Sequence, residues 1–229
     1  MSDERLRELE RRWQETGALA DQAAFLKERV RSGGLEPERV RLAAFLGSEL
    51  AKAALGAEPE PPGVEGDVDL QAWVEAIAAY GQPALARLAV AAADHSARMV
   101  SSSGIPPRAV QAAEEQILCP CDAHAEEARR RADPAWEPPD HPMRMPGDLA
   151  LAARSAARTA ASSLPEARDA ARLAAREARR ALDRVPDPFG GTGTASLRRT
   201  ITRELLPWAL DEGDPIRARV ESRDASRGG

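Results

Sequence analysis

The sequence predicts an all-α protein: a multi-helix bundle of antiparallel helix pairs carrying a small N-terminal helical module. Three observations predict it. Alanine and arginine recur at helical spacing from Leu6 almost to Val220. Glycine and proline punctuate that pattern at intervals of one helix length. The period-two alternation of a half-buried strand is missing from it. The expected total is about nine helices.

The elements follow in order. Leu6, Leu9 and Trp13 lie on one face of a first helix, with Ser2 or Asp3 to cap it and Gly17 to end it. Leu19, Ala23, Leu26 and Val30 repeat the pattern up to Gly33-Gly34. Pro37 opens a third helix whose inner stripe is Leu42, Phe45 and Leu46. Gly47-Ser48 reads as a stop followed by a new cap, and a short helix then reaches Leu55. Residues 2–56 form the N-terminal module. Residues 57–67, rich in proline and acid, form a linker.

Residues 68–221 form the alanine-rich bundle. Leu70, Trp73, Val74 and Ile77 mark one helix, and Pro83 opens another carrying Leu85, Leu88, Ala92 and Met99. After Pro106-Pro107, Val110, Ala113, Ile117 and Leu118 face inward, and Pro120 interrupts before a short helix over 122–132. Asp133–Gly147 holds five prolines and Trp136, which is expected to pin this irregular stretch to a helix. Leu149–Ser163 is nearly all alanine, and Ser163-Leu-Pro-Glu166 is a capping box for a helix reaching Val185. A Gly-rich loop leads to a last long helix with Leu197, Ile201, Leu205, Trp208 and Leu210, expected to kink at Pro207. Asp214-Pro215 begins a final turn, and residues 222–229 form a disordered tail. The expected core is Trp13, Phe25, Leu42, Phe45, Trp73, Ile77, Leu88, Ile117, Leu173, Ile201, Leu205 and Trp208.

Composition limits the function. Of the 229 residues 43% are hydrophobic but only 3% aromatic, so alanine supplies much of the core and each helix buries little area. Close approach of many helices has to compensate. The formal charge of -5 gives no general attraction to nucleic acid or anionic lipid. Two cysteines and a charged start, MSDERLRELE, indicate a reducing, cytoplasmic setting, and no apolar run is long enough to span a membrane.

The cluster with most chemistry is Cys119-Pro-Cys121-Asp-Ala-His124. Thiolates and imidazole are soft ligands, and a zinc ion takes four such groups or three plus water. Three lie within six residues here, and His95, His141 or Asp122 would supply a fourth. The spacing is not that of paired zinc knuckles. The plainer alternative is two buried thiols at a helix junction with His124 at the surface. A third is redox sensing, since a helix N-terminus lowers a thiol pKa.

Other motifs are weaker. Arg168, Arg172, Arg176, Arg180 and Arg184 recur every four residues, a row that drifts about 40° per step. It reads as a solvated face paired with interleaved acids, or as a surface for an acidic protein. Gly190-Gly-Thr-Gly-Thr194 precedes a helix, but no lysine follows and no strand precedes, so an interhelical loop is favoured over a phosphate site. His95 is a general base only if a nucleophile lies opposite. No catalytic signature stands out, and the chain is not expected to be an enzyme.

The run LRELERRWQETGALADQAAFLKERVRSGGLEPERVRLAAFLGSELAKAALG resembles a helical segment of myxobacterial and other GC-rich bacterial proteins of unknown role. The segment ALARLAVAAADHSARMVSSSGIPPRAVQAAEEQILCPC is similar to the alanine-rich helical pairs of immunity proteins of bacterial polymorphic toxin systems. That resemblance implies a non-enzymatic protein that binds another protein, a toxin, and it carries no catalytic residue over. The alternative is a metal- or redox-responsive regulator using Cys119, Cys121 and His124.

Overall fold

The computed structural model describes residues 2–56, 69–100, 107–133, 147–184 and 193–227. Twelve helices account for nearly all of them, and no strand occurs among the described residues. The chain is all-α. The linker at 57–67, Trp136 with its proline-rich stretch and most of the Gly-rich loop lie outside the described residues.

Two units divide the chain. The first takes residues 1–66 and 206–213, the second residues 67–205 and 214–229. The sequence assigns 206–213 to the large bundle, whereas the contacts of Trp208 and Asp211 assign it to the N-terminal unit.

The first unit contains α1 (Ser2–Thr16), α2 (Leu19–Arg31), α3 (Pro37–Phe45) and α4 (Glu49–Leu55). Gly17 ends α1 at φ +61°, and its N–H closes on the Trp13 carbonyl at 2.8 Å. A side chain at that backbone angle would be strained, so glycine is the residue that ends the helix. Ser48 caps α4, its hydroxyl accepting from the Ala51 N–H at 3.2 Å. Leu26, Val40, Leu42 and Phe45 are buried. Trp13 and Phe25 stack with ring centroids 5.5 Å apart but remain half-exposed, unlike the core positions expected of them. Arg39 lies over the Trp208 ring at 4.8 Å and donates to the Trp208 carbonyl; the indole is half-exposed, unlike the core position expected of it. Asp211 ends the segment at φ +60° and pairs with Arg29 and Arg39. Partial burial works against its charge, and the two guanidiniums outweigh that and hold its carboxyl below the usual value.

The second unit contains α5 (Leu70–Ala78), α6 (Gln82–Val100), α7 (Arg108–Leu118), α8 (Asp122–Ala132), α9 (Gly147–Ala161), α10 (Leu164–Leu182), most of α11 (Gly193–Leu210) and α12 (Pro215–Arg227). Helices α6, α9 and α10 pack on one another most extensively. Their shared surface is small: Ala89, Ala92 and Ala93 of α6, Ala152, Ala153, Ala156 and Ala157 of α9, and Ala167, Ala171, Ala174 and Ala178 of α10 are all buried. Such faces let helix axes approach closely, so dispersion contacts replace the area that larger side chains would bury. Leu85, Leu88, Leu149, Leu197, Ile201 and Leu205 fill the remaining space. Ile117 and Leu173, expected in the core, are half-exposed.

Two local expectations differ, at Ser163 and at Ser222. Ser163 sits at the N-cap of α10 but makes no capping hydrogen bond. Helix α11 continues through Pro207 to Leu210. Helix α12 runs to Arg227 where a frayed tail from Ser222 was expected. Asp214 caps its start, accepting from Ile216 N–H at 3.0 Å, and Arg87 binds the same carboxylate at 2.6 Å. Charges along α12 fix it further.

Candidate metal centre

Cys119, Cys121 and His124 come together at the junction between α7 and α8. The Cys119 N–H still donates to Glu115, at 2.9 Å, as the last bond of α7. Pro120 then forbids continuation. The chain turns so tightly that Cys121 N–H donates back to the Cys119 carbonyl at 2.8 Å. Cys121 takes the N-cap position of α8 with extended backbone, φ −117° and ψ 162°. His124 lies three residues on, within the first turn, and its ring returns over the junction.

One donor atom from each residue lies within 4.8 Å of the others. His124 Nδ1 is 3.3 Å from Cys121 Sγ and 3.1 Å from the Cys119 carbonyl oxygen. With the proton on Nδ1 the ring donates to the Cys119 carbonyl, which only accepts; with the proton on Nε2 the Nδ1 lone pair is free beside the Cys121 sulfur. Both thiols are exposed and the imidazole is half-buried. This reverses the expectation of buried thiols beside a surface histidine. The tight turn at Pro120 pushes both cysteines off the apolar face that ends at Leu118.

The two thiols differ electrostatically. The backbone N–H of His124 draws the Cys121 thiol below its ordinary pKa; burial opposes this, and Cys119, the His124 ring and the Ala123 N–H add smaller contributions in the same downward direction. None of these amides makes a hydrogen bond of capping geometry. Cys119 is pushed the other way by its hydrogen bond and charge interaction with Cys121.

Two soft sulfurs and a nitrogen converging in this way fit the donor set of a thiophilic metal ion. Among the described residues the group stops at three: neither His95 nor Asp122 joins it, and His141 lies outside the described residues. A metal bound here would keep a position open to solvent, as in open zinc sites.

His95 faces a different partner. Its Nε2 is 3.0 Å from the Ser196 hydroxyl, which places a serine opposite this histidine. The sequence offered no means of pairing residues that are 101 positions apart.

The arginine row of α10 is engaged within the chain. Arg168 and Arg172 meet Glu75 at 3.1 and 3.8 Å, Arg176 and Arg180 meet Glu177 at 2.9 and 3.0 Å, and Arg184 meets Asp148 at 2.6 Å. At the loop before α11, a Cβ on Gly193 would come 2.6 Å from Asp183 Oδ1 and 3.3 Å from the Arg179 carbonyl. Close approach to the end of α10 accounts for that glycine, the first residue of α11, while residues 190–192 lie outside the described residues.

The feature that sequence reasoning missed is a buried charge cluster in the second unit. Glu114 of α7 is fully buried. Arg219 Nε donates to it at 2.8 Å, Arg223 donates to its other oxygen, and Arg219 also donates to Glu204. Asp94 lies 3.8 Å from Arg219 and 2.9 Å from Arg98. Three carboxylates thus balance three guanidiniums. Burial pushes the Glu114 carboxyl up, the two arginines pull it back, and the net displacement is upward. Burial also opposes the charge of Arg219, but its bonds to Glu204 and Glu114 prevail and raise it. A signal existed: Glu114 falls four residues after Val110 on the inward face of α7. Its partners are more than 100 residues away and could not be paired from sequence.

No helix among the described residues is long and apolar enough to cross a membrane. Compared with known protein families, with characterised proteins and with solved structures, the chain matches none.

Proposed function

We propose that this protein is a metal-responsive helical protein whose working part is Cys119, Cys121 and His124. One observation carries the reading: three soft donor atoms lie within 4.8 Å of one another at an exposed helix junction. The scaffold supplies the preorganisation. Pro120 fixes the turn, the Cys119 carbonyl holds both the Cys121 N–H and the His124 ring, and the two flanking helices set the distance between the thiols. A metal ion bound there would cross-link the end of α7 to the start of α8, and this coupling gives binding a structural consequence. Free thiols are kept reduced in the cytoplasm, the compartment we assign.

The protein-partner reading, including an immunity-like role against a toxin, ranks below it as a proposal. The arginine row that would serve an acidic partner is engaged by Glu75, Glu177 and Asp148. Its own test is capture of a partner from the native host.

Titration of the reduced protein with Co(II), then displacement by Zn(II), tests the metal reading. The expected result is thiolate-to-cobalt charge-transfer absorption that saturates at a single ion per chain and disappears in Cys121→Ser. Absence of that absorption in the folded, reduced protein, together with no zinc uptake, would end the reading.

A further inference from the structure

We infer that the ion this site is built for is monovalent copper, held by Cys119, Cys121 and His124, the three donors that converge among the described residues. The inference rests on the metal reading above and specifies its ligand.

The first argument is the donor set. A structural zinc site closes with four protein ligands, and this junction brings three together. Two of the three are thiolate sulfurs. Soft sulfur donors select both Cu(I) and zinc, and geometry and ligand number decide between them more than raw affinity does; of the two, Cu(I) is the ion satisfied by three ligands.

As the ion enters, each thiol gives its proton to solvent, so two thiolates and a neutral imidazole surround it. The complex lies between the end of α7, where Cys119 is the C-cap, and the start of α8, where Cys121 is the N-cap, so the two helix ends oppose one another and its net charge does not choose between ions.

The second argument is access. Both thiols are at the surface while the imidazole is half-buried. An incoming thiolate can therefore reach the ion from solvent while His124 holds it from behind. Ligand exchange through the open side then delivers or removes copper without unfolding either helix. The site suits a thiol-bound copper donor or acceptor better than a permanently closed structural ion.

The experiment uses the full chain, reduced and kept free of oxygen. Cu(I) is supplied as its complex with a chromophoric chelator, first alone and then with millimolar glutathione as a competing thiol. A parallel sample receives Zn(II). The expected result is a single Cu(I) per chain retained against glutathione, with X-ray absorption showing two sulfurs and one nitrogen in three-coordination. Cys119→Ser and Cys121→Ser should lose the ion to glutathione, and His124→Ala should lower the coordination to sulfur alone. Circular dichroism confirms that each variant keeps its helices. Zinc uptake with loss of copper to glutathione overturns this inference and leaves the metal reading standing. Uptake of neither ion overturns both. Copper retained equally by the serine variants places the metal elsewhere and also overturns the inference.

Discussion

Replacing Arg219 by alanine tests the structural account most sharply. Arg219 donates to Glu114 at 2.8 Å and to Glu204, and it approaches Asp94 to 3.8 Å. Its loss leaves Glu114, which has no solvent exposure, with Arg223 as its remaining partner. Removing one member of a buried ion pair costs roughly 3–5 kcal/mol, because the other charge stays buried without compensation. With Arg223 still in place the lower end applies, about 3 kcal/mol. Hydrogen exchange along α7 and α12 reads this locally, so unfolding of the first unit does not blur it. A loss of that size speeds exchange limited by opening of these helices about a hundredfold. In urea it lowers the midpoint of the second unit by about 1.5 M for a typical slope. Glu114→Gln should differ in its pH dependence. The folded carboxyl titrates above its usual value, so its contribution is greatest in acid and is lost as pH rises through the folded pKa. The amide removes that dependence but offers one acceptor oxygen where Arg219 and Arg223 each donate to one, so it too should cost roughly 3 kcal/mol. Exchange in Arg219→Ala within about twofold of the parent would refute the reasoning.

Three further predictions follow from the same geometry. Cys121, whose thiol is drawn downward while that of Cys119 is pushed up, should be alkylated first by iodoacetamide near neutral pH, with peptide mass spectrometry giving the order; equal rates would contradict the role of the α8 amides. Ala174→Leu forces a branched side chain into a fully buried alanine face and should cost about 1–3 kcal/mol in thermal unfolding, more than the same change at exposed Ala53. Ser48→Ala removes an observed cap and should cost about 1 kcal/mol, whereas Ser163→Ala, which removes no capping bond, should be nearly neutral.

Helix boundaries were legible wherever backbone chemistry alone decides them. Gly17, Pro37, Gly47-Ser48 and Pro120 each end or start a helix in the structure, because a positive φ or a missing N–H acts locally. The interior of α6 was legible for a related reason: with Leu85, Leu88 and Ala92 all inward, its periodicity survives any partner. What depends on distant residues was not legible. The length of α12 follows from Glu114, more than 100 positions away, and the pairing of Trp208 with Arg39 spans 169 positions. The three residues of the candidate centre were legible as a motif because they are close in sequence. Their exposure was not, since it depends on how the turn at Pro120 leaves the end of α7.

Metal content of the reduced protein, measured by elemental analysis beside the Cys119→Ser/Cys121→Ser double variant, tests the central claim most directly. The account predicts a stoichiometric thiophilic ion in the parent after exposure to Cu(I) or Zn(II) and removal of excess, and none in the double variant. A parent that emerges as empty as the variant, with its helices intact, would contradict it.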